Sequence, residues 1–106
     1  MSWEAVVEGN HVVVDTREPI SNLSGVNFTE GEAIGERCCQ KVTALELGEA
    51  GATVVSTLFG TGKVRRLTVN LRGFKACAAS QEAAQEVLAV VQQLEARVGN
   101  KLVVAA

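Results

Sequence analysis

Four polar residues recur at alternate positions in the second half of the chain: Arg66, Thr68, Asn70 and Arg72. In an extended strand, alternate side chains share one face, which places Leu67, Val69 and Leu71 on the other. Two guanidinium groups beside two neutral hydrogen-bonding side chains suit an anion such as a carboxylate or phosphate. A second set comes from His11 and Asp15, on a run (His11–Thr16) whose Val12 and Val14 face the opposite way. His11 is the single histidine, and imidazole is the side chain that titrates near neutrality. Four residues along a strand separate His11 from Asp15 by ~13 Å, so they cannot form a direct dyad. If the two strands are neighbours, His11, Asp15, Arg66 and Arg72 gather into one cluster. The candidate ligand site is therefore Arg66, Arg72, Asn70, Thr68, Asp15 and His11. Two other readings compete with it: a solvated face with cross-strand ion pairs of little energetic value, and a face covered by a second copy of the chain.

Other chemistry-bearing residues carry less. Gly60-Thr61-Gly62-Lys63 has the flavour of a phosphate loop. A nucleotide-binding loop needs a glycine five residues before Gly62 and a hydroxyl after Lys63, where this chain has Thr57 and Val64. Cys38, Cys39 and Cys77 lack metal-ligand spacing and have no histidine nearby. Lys63, Arg65, Arg66, Arg72 and Lys75 form a basic strip that could contact phosphates. A sheet that reads single-stranded RNA needs exposed aromatic residues for stacking, and the outward positions here hold Arg, Thr, Asn, Val and Asp. No triad, metal set or recognisable pair of carboxylates stands out, so no catalytic residue, metal ligand or cofactor is expected.

Composition sets the frame. The chain has 106 residues, 47% hydrophobic and 21% charged, with a formal net charge of −2. That length fits one domain spanning 1–106, and the charge is not that of a typical nucleic-acid binder. Aromatic residues make up 4%, leaving Val, Leu, Ala and Ile to build the core. The N-terminus lacks the basic and long apolar regions of a secretion signal, and no apolar run is long enough to span a bilayer. With an odd number of cysteines, this points to reduced thiols in the cytoplasm.

The elements that must position these residues follow from local pattern. Trp3–Glu8 and His11–Thr16 flank Gly9-Asn10 and read as a hairpin. Arg17–Phe28, with the single proline and several turn formers, reads as a loop. Thr29-Glu30-Gly31-Glu32 is a capping-box pattern, and Ile34, Cys38, Val42 and Leu45 continue it as a helical stripe ending at Gly48; Lys41–Leu47 as a strand is the alternative. Gly48–Gly51 reads as a turn. The β-rich stretch Thr53–Phe74 reads as a second hairpin around Gly60–Lys63, and Gly73–Ala79 as a connection. Ser80 is an N-cap for a helix that Gly99-Asn100 ends. Lys101–Ala106 is a final strand or a tail. Val12–Arg17 (VVVDTR) and Leu67–Arg72 (LTVNLR) form a weak internal repeat.

The expected fold is α+β, a two-layer sandwich: a mainly antiparallel sheet with two helices on one face, in ββαββα(β) order. The alternative is a ferredoxin-like βαββαβ core with Val12–Thr16 and Val64–Leu71 as its central strands. Either Trp3–Glu8 or Lys101–Ala105 would lie beside His11–Thr16. The expected function is a small non-catalytic binding or interaction module, a homo-oligomer whose open polar face meets a protein or small anionic ligand. An enzyme acting on an anionic phosphate or carboxylate substrate is one alternative. The acylphosphatase type shares the βαββαβ order, yet Gly25–Phe28 is not followed by the arginine of that family's loop. Nucleic-acid binding through residues 63–75 is the other alternative.

Overall fold

The computed structural model describes residues 3–20, 25–29 and 48–102. Five strands form one sheet: β1 (Glu4–Glu8), β2 (His11–Asp15), β3 (Val26–Thr29), β4 (Val64–Asn70) and β5 (Gly73–Ala78). Their order is β1-β2-β5-β4-β3, and every neighbouring pair is antiparallel. Among the described residues there are two α-helices, α1 (Gly48–Gly60) and α2 (Gln81–Val98), with a short 3-10 turn at Gly99–Lys101. The class is the expected one: α+β, with an antiparallel sheet and a helical layer.

The first hairpin forms as the Gly9-Asn10 pair predicts, with Glu8 opposite His11. Gly9 takes a positive φ of 62°, as the first position of a tight two-residue turn favours. β1 is therefore the neighbour of β2; residues 103–106 lie outside the described residues, and Lys101 belongs to the 3-10 turn.

The second hairpin is displaced from its expected position. Thr53–Gly60 is the C-terminal part of α1, and the hairpin partner of β4 is β5. Thr53, Val54, Val55 and Thr57 have the β-branched chemistry of a strand. The buried set Gly51, Val54, Val55, Leu58 and Phe59 has the spacing of a helix face, and burial of that face overrides propensity. Gly60–Lys63 leads out of the helix: the amides of Thr61 and Gly62 donate to Leu58 and Phe59 carbonyls at 3.3 and 3.1 Å. Gly62 takes the left-handed conformation, at φ 73°, that commonly follows a helix. The connection expected at Gly73–Ala79 is instead the central strand of the sheet, with Phe74, Ala76 and Ala78 buried and Lys75 and Cys77 on the other side.

Three smaller expectations also change. The loop at Arg17–Phe28 yields its last residues to β3, with Phe28 buried. Gly48–Gly51, expected as a turn, is the start of α1, and Thr29 closes β3; residues 30–47, where the capping box continues and the helical stripe toward Gly48 falls, lie outside the described residues. β4 stops at Asn70, so Leu71 sits in the turn and is 43% exposed instead of packing inward.

α2 matches its signals. The Ser80 hydroxyl accepts from the Ala83 amide at 3.1 Å, and Ala84, Val87, Val91, Leu94 and Val98 are buried. Ala96 on the same helix is exposed. α2 lies over β1, β2 and β5, and α1 packs against α2 and β4. Val12, Val14, Leu67, Val69, Phe74 and Ala76 meet them from the sheet. The Trp3 ring stands edge-on to Phe74, with centroids 5.8 Å apart. The helical layer thus takes one side of the sheet and leaves the side bearing the predicted site residues exposed. Among the described residues, no helix is long and apolar enough to cross a membrane.

Candidate functional site

The pairing registers arrange the outward residues in three rows. Across the sheet from β1, the first row is Glu4, Asp15, Gly73 and Asn70. The second is Val6, Val13, Lys75, Thr68 and Asn27. The third is Glu8, His11, Cys77, Arg66 and Thr29.

These rows correct the expectation that β2 and β4 are neighbours. β5 lies between them, so the ferredoxin-like alternative, which pairs them centrally, is not the arrangement present. The six predicted residues consequently separate. Asp15, Thr68, Asn70 and Arg72 line one shallow depression of about 460 Å³ together with Gly73 and Lys75. His11 and Arg66 stand in the third row, on either side of Cys77. His11 and Asp15 are two rows apart on their strand and form no dyad.

Gly73 shapes the depression. It has a φ of 147°, and a Cβ built there would lie 2.0 Å from the carbonyl oxygen of Val14. No side chain fits, so bare backbone floors the space between Asp15 and Asn70. Both walls are held. The Asp15 Oδ1 accepts from the Arg17 amide at 2.8 Å, and the Asn70 Oδ1 accepts from the Gly25 amide at 3.2 Å. With its oxygen engaged, the Asn70 amide presents its Nδ2 donors. Thr68 donates its hydroxyl proton to Asn27 Oδ1 at 2.7 Å.

The internal repeat acquires a geometric meaning here. β2 and β4 both run antiparallel to β5, so they run parallel to each other. Val14 and Val69 are both opposite Phe74, and Asp15 and Asn70 are both opposite Gly73. Matching patterns in VVVDTR and LTVNLR thus flank a common strand in the same register.

Charge is divided across the face. Glu4, Glu8 and Asp15 lie on the β1–β2 half; Lys75, Arg66 and Arg72 lie on the β5–β4 half. Glu4 pairs with Arg17, and Lys63 pairs with Glu86 at 3.0 Å away from this face. Among the described residues, no ion pair joins the acidic half to the basic half. Lys75 was legible only as part of the basic strip; the alternation of Phe74, Ala76 and Ala78 with Lys75 and Cys77 is the signal that places it on the face.

Two chemistries find little support in this arrangement. All four aromatic residues, Trp3, Phe28, Phe59 and Phe74, are buried, so no ring is available on the face to stack on a base. Among the described residues, no group of three histidine, cysteine or acidic side chains is placed to hold a metal ion. No protein-family model, no curated protein and no solved structure matches this chain.

Proposed function

We propose that this chain is a small non-catalytic binding module that works through the open polar face of its sheet. It self-associates or takes an anionic group carried by a protein or small molecule. The observation that carries this reading is the depression over Gly73, where a floor of backbone lies beside two exposed cations, Lys75 and Arg72, for which there is no acidic partner among the described residues. Cations around a concave surface with a backbone floor suit a carboxylate or phosphate oxygen. A free, half-buried thiol at Cys77 fits a reducing compartment such as the cytoplasm. No particular contact favours the enzyme alternative, and nucleic-acid binding through residues 63–75 would rest on phosphate contacts alone.

The test is a titration of the nitrogen-15-labelled protein with acetate and with inorganic phosphate at low ionic strength. Amide shifts are expected to concentrate at Thr68, Asn70, Gly73 and Lys75 and to shrink in Lys75→Ala and Arg72→Ala. Shifts absent from this face, or unchanged in both variants, overturn the reading.

A further inference from the structure

Resting on that reading of the face, we infer that its partner is a second copy of the chain, related by a two-fold axis parallel to the strands and placed between β2 and β5. The argument is electrostatic. Opposite charges occupy opposite halves of the face, and among the described residues no ion pair neutralises them across the divide. Two such faces can meet about either of two in-plane axes. An axis perpendicular to the strands sets acidic half against acidic half. An axis parallel to the strands sets each acidic half against the basic half of the other copy, as a self-complementary two-fold contact requires.

The register makes the pairing specific. An axis between β2 and β5 exchanges β1 with β4 and β2 with β5, and keeps each row opposite itself. In the third row, Glu8 of one copy then faces Arg66 of the other. In the first row, Asp15 faces the depression over Gly73, where Lys75 and Arg72 stand nearby. The missing side chain at Gly73 leaves room for that carboxylate. Edge-to-edge pairing through β1 is disfavoured: antiparallel association about Val6 would set Glu4 against Glu8 at both ends.

The contact is small. β3 overhangs in this arrangement; the four overlapping strands, ~4.8 Å apart and each with about five residues rising ~3.3 Å, cover roughly 300 Å² per copy. Stable interfaces bury well over twice that, about 800 Å² on each partner. The dimer is therefore weak, formed at high protein concentration and low salt.

Sedimentation of the full chain from 10 to 500 μM (about the range such an interface calls for) at low and high salt tests the inference, with Glu8→Lys, Arg66→Glu and the double variant. Both positions are exposed. The wild type is expected to dimerise at low salt and dissociate at high salt. Each single variant should weaken the dimer by about tenfold, since two contacts per dimer become repulsive, and the double reversal should restore it. A wild type that is monomeric throughout overturns the dimer, as does a dimer indifferent to the three variants. The acetate and phosphate titration separates the two levels. Shifts on the face of a strict monomer leave the binding face standing without this partner; no shifts and no dimer remove both.

Discussion

Asp15 and Asn70 stand on opposite flanks of Gly73, each its direct register partner from a neighbouring strand. Residues 55 positions apart in sequence, one carboxylate and one amide of similar shape, thus wall the same gap. The gap exists because Gly73 cannot carry a side chain beside the Val14 carbonyl.

This makes Gly73→Ala a severe substitution for its size. A methyl group 2.0 Å from a backbone oxygen forces β2 and β5 apart at the centre of the sheet. We expect a loss of more than about 2 kcal/mol, in the range of steric insertions into packed regions. Gly60→Ala is the control, because a Cβ there meets nothing within 4 Å and its φ is not left-handed. It should be neutral or slightly stabilising, by up to ~1 kcal/mol, through helix propensity. Urea denaturation of both variants measures the contrast.

Ser80 offers a second test, of local structure. Its hydroxyl accepts from the Ala83 amide at 3.1 Å, satisfying one of the unpaired donors at the start of α2. Ser80→Ala should cost about 1 kcal/mol, and Ser80→Asp much less, since aspartate caps as well and complements the helix dipole. Thermal unfolding followed by circular dichroism reads the difference.

The sequence made some of this legible and hid the rest for identifiable reasons. α2 was readable because Ser80, the apolar spacing of Ala84 to Val98 and Gly99 all agree. The β1–β2 hairpin was readable from Gly9-Asn10. α1 was hidden because β-branched Val54 and Val55 carry strand propensity, while their helical role depends on burial with Leu58 and Phe59 against β4 and α2. Misplacing that segment shifted the hairpin by one element and made β5 look like a connection. The alternation of Arg66, Thr68 and Asn70 holds on β4, since alternation depends only on the strand itself, whereas Arg72 lies in the turn beyond its end. Which strand lies beside it depends on long-range pairing, and that separated His11 and Arg66 from Asp15, Asn70 and Arg72.

α1 can be tested at its largest fully buried side chain. Leu58 is fully buried, so Leu58→Ala should cost about 2–5 kcal/mol through lost transfer energy and the cavity left behind. Ser56→Ala, two positions away on the exposed side, should be neutral to slightly stabilising as a better helix former, by less than ~0.5 kcal/mol. If residues 53–59 formed a strand, alternation would put 56 and 58 on the same face and both changes would be costly. The pair of unfolding curves therefore discriminates helix from strand.

The last contrast concerns two acidic residues of α2. Glu95 accepts from the Trp3 amide at 2.7 Å in a partly buried setting, where it ties the start of β1 to the helix beside the Trp3–Phe74 ring contact. Glu86 meets Lys63 at 3.0 Å, but both side chains are well exposed. Charge-assisted bonds to partly buried amides are worth about 1.5–3 kcal/mol, whereas exposed ion pairs contribute ~0–1 kcal/mol and are screened by salt. Glu95→Ala should therefore destabilise the protein measurably, by about 1–2 kcal/mol, and should speed hydrogen exchange along β1. Glu86→Ala should change stability by less than ~0.5 kcal/mol and lose even that effect at high salt. Equal effects of the two substitutions would mean that the Trp3–Glu95 bond does not anchor the edge strand.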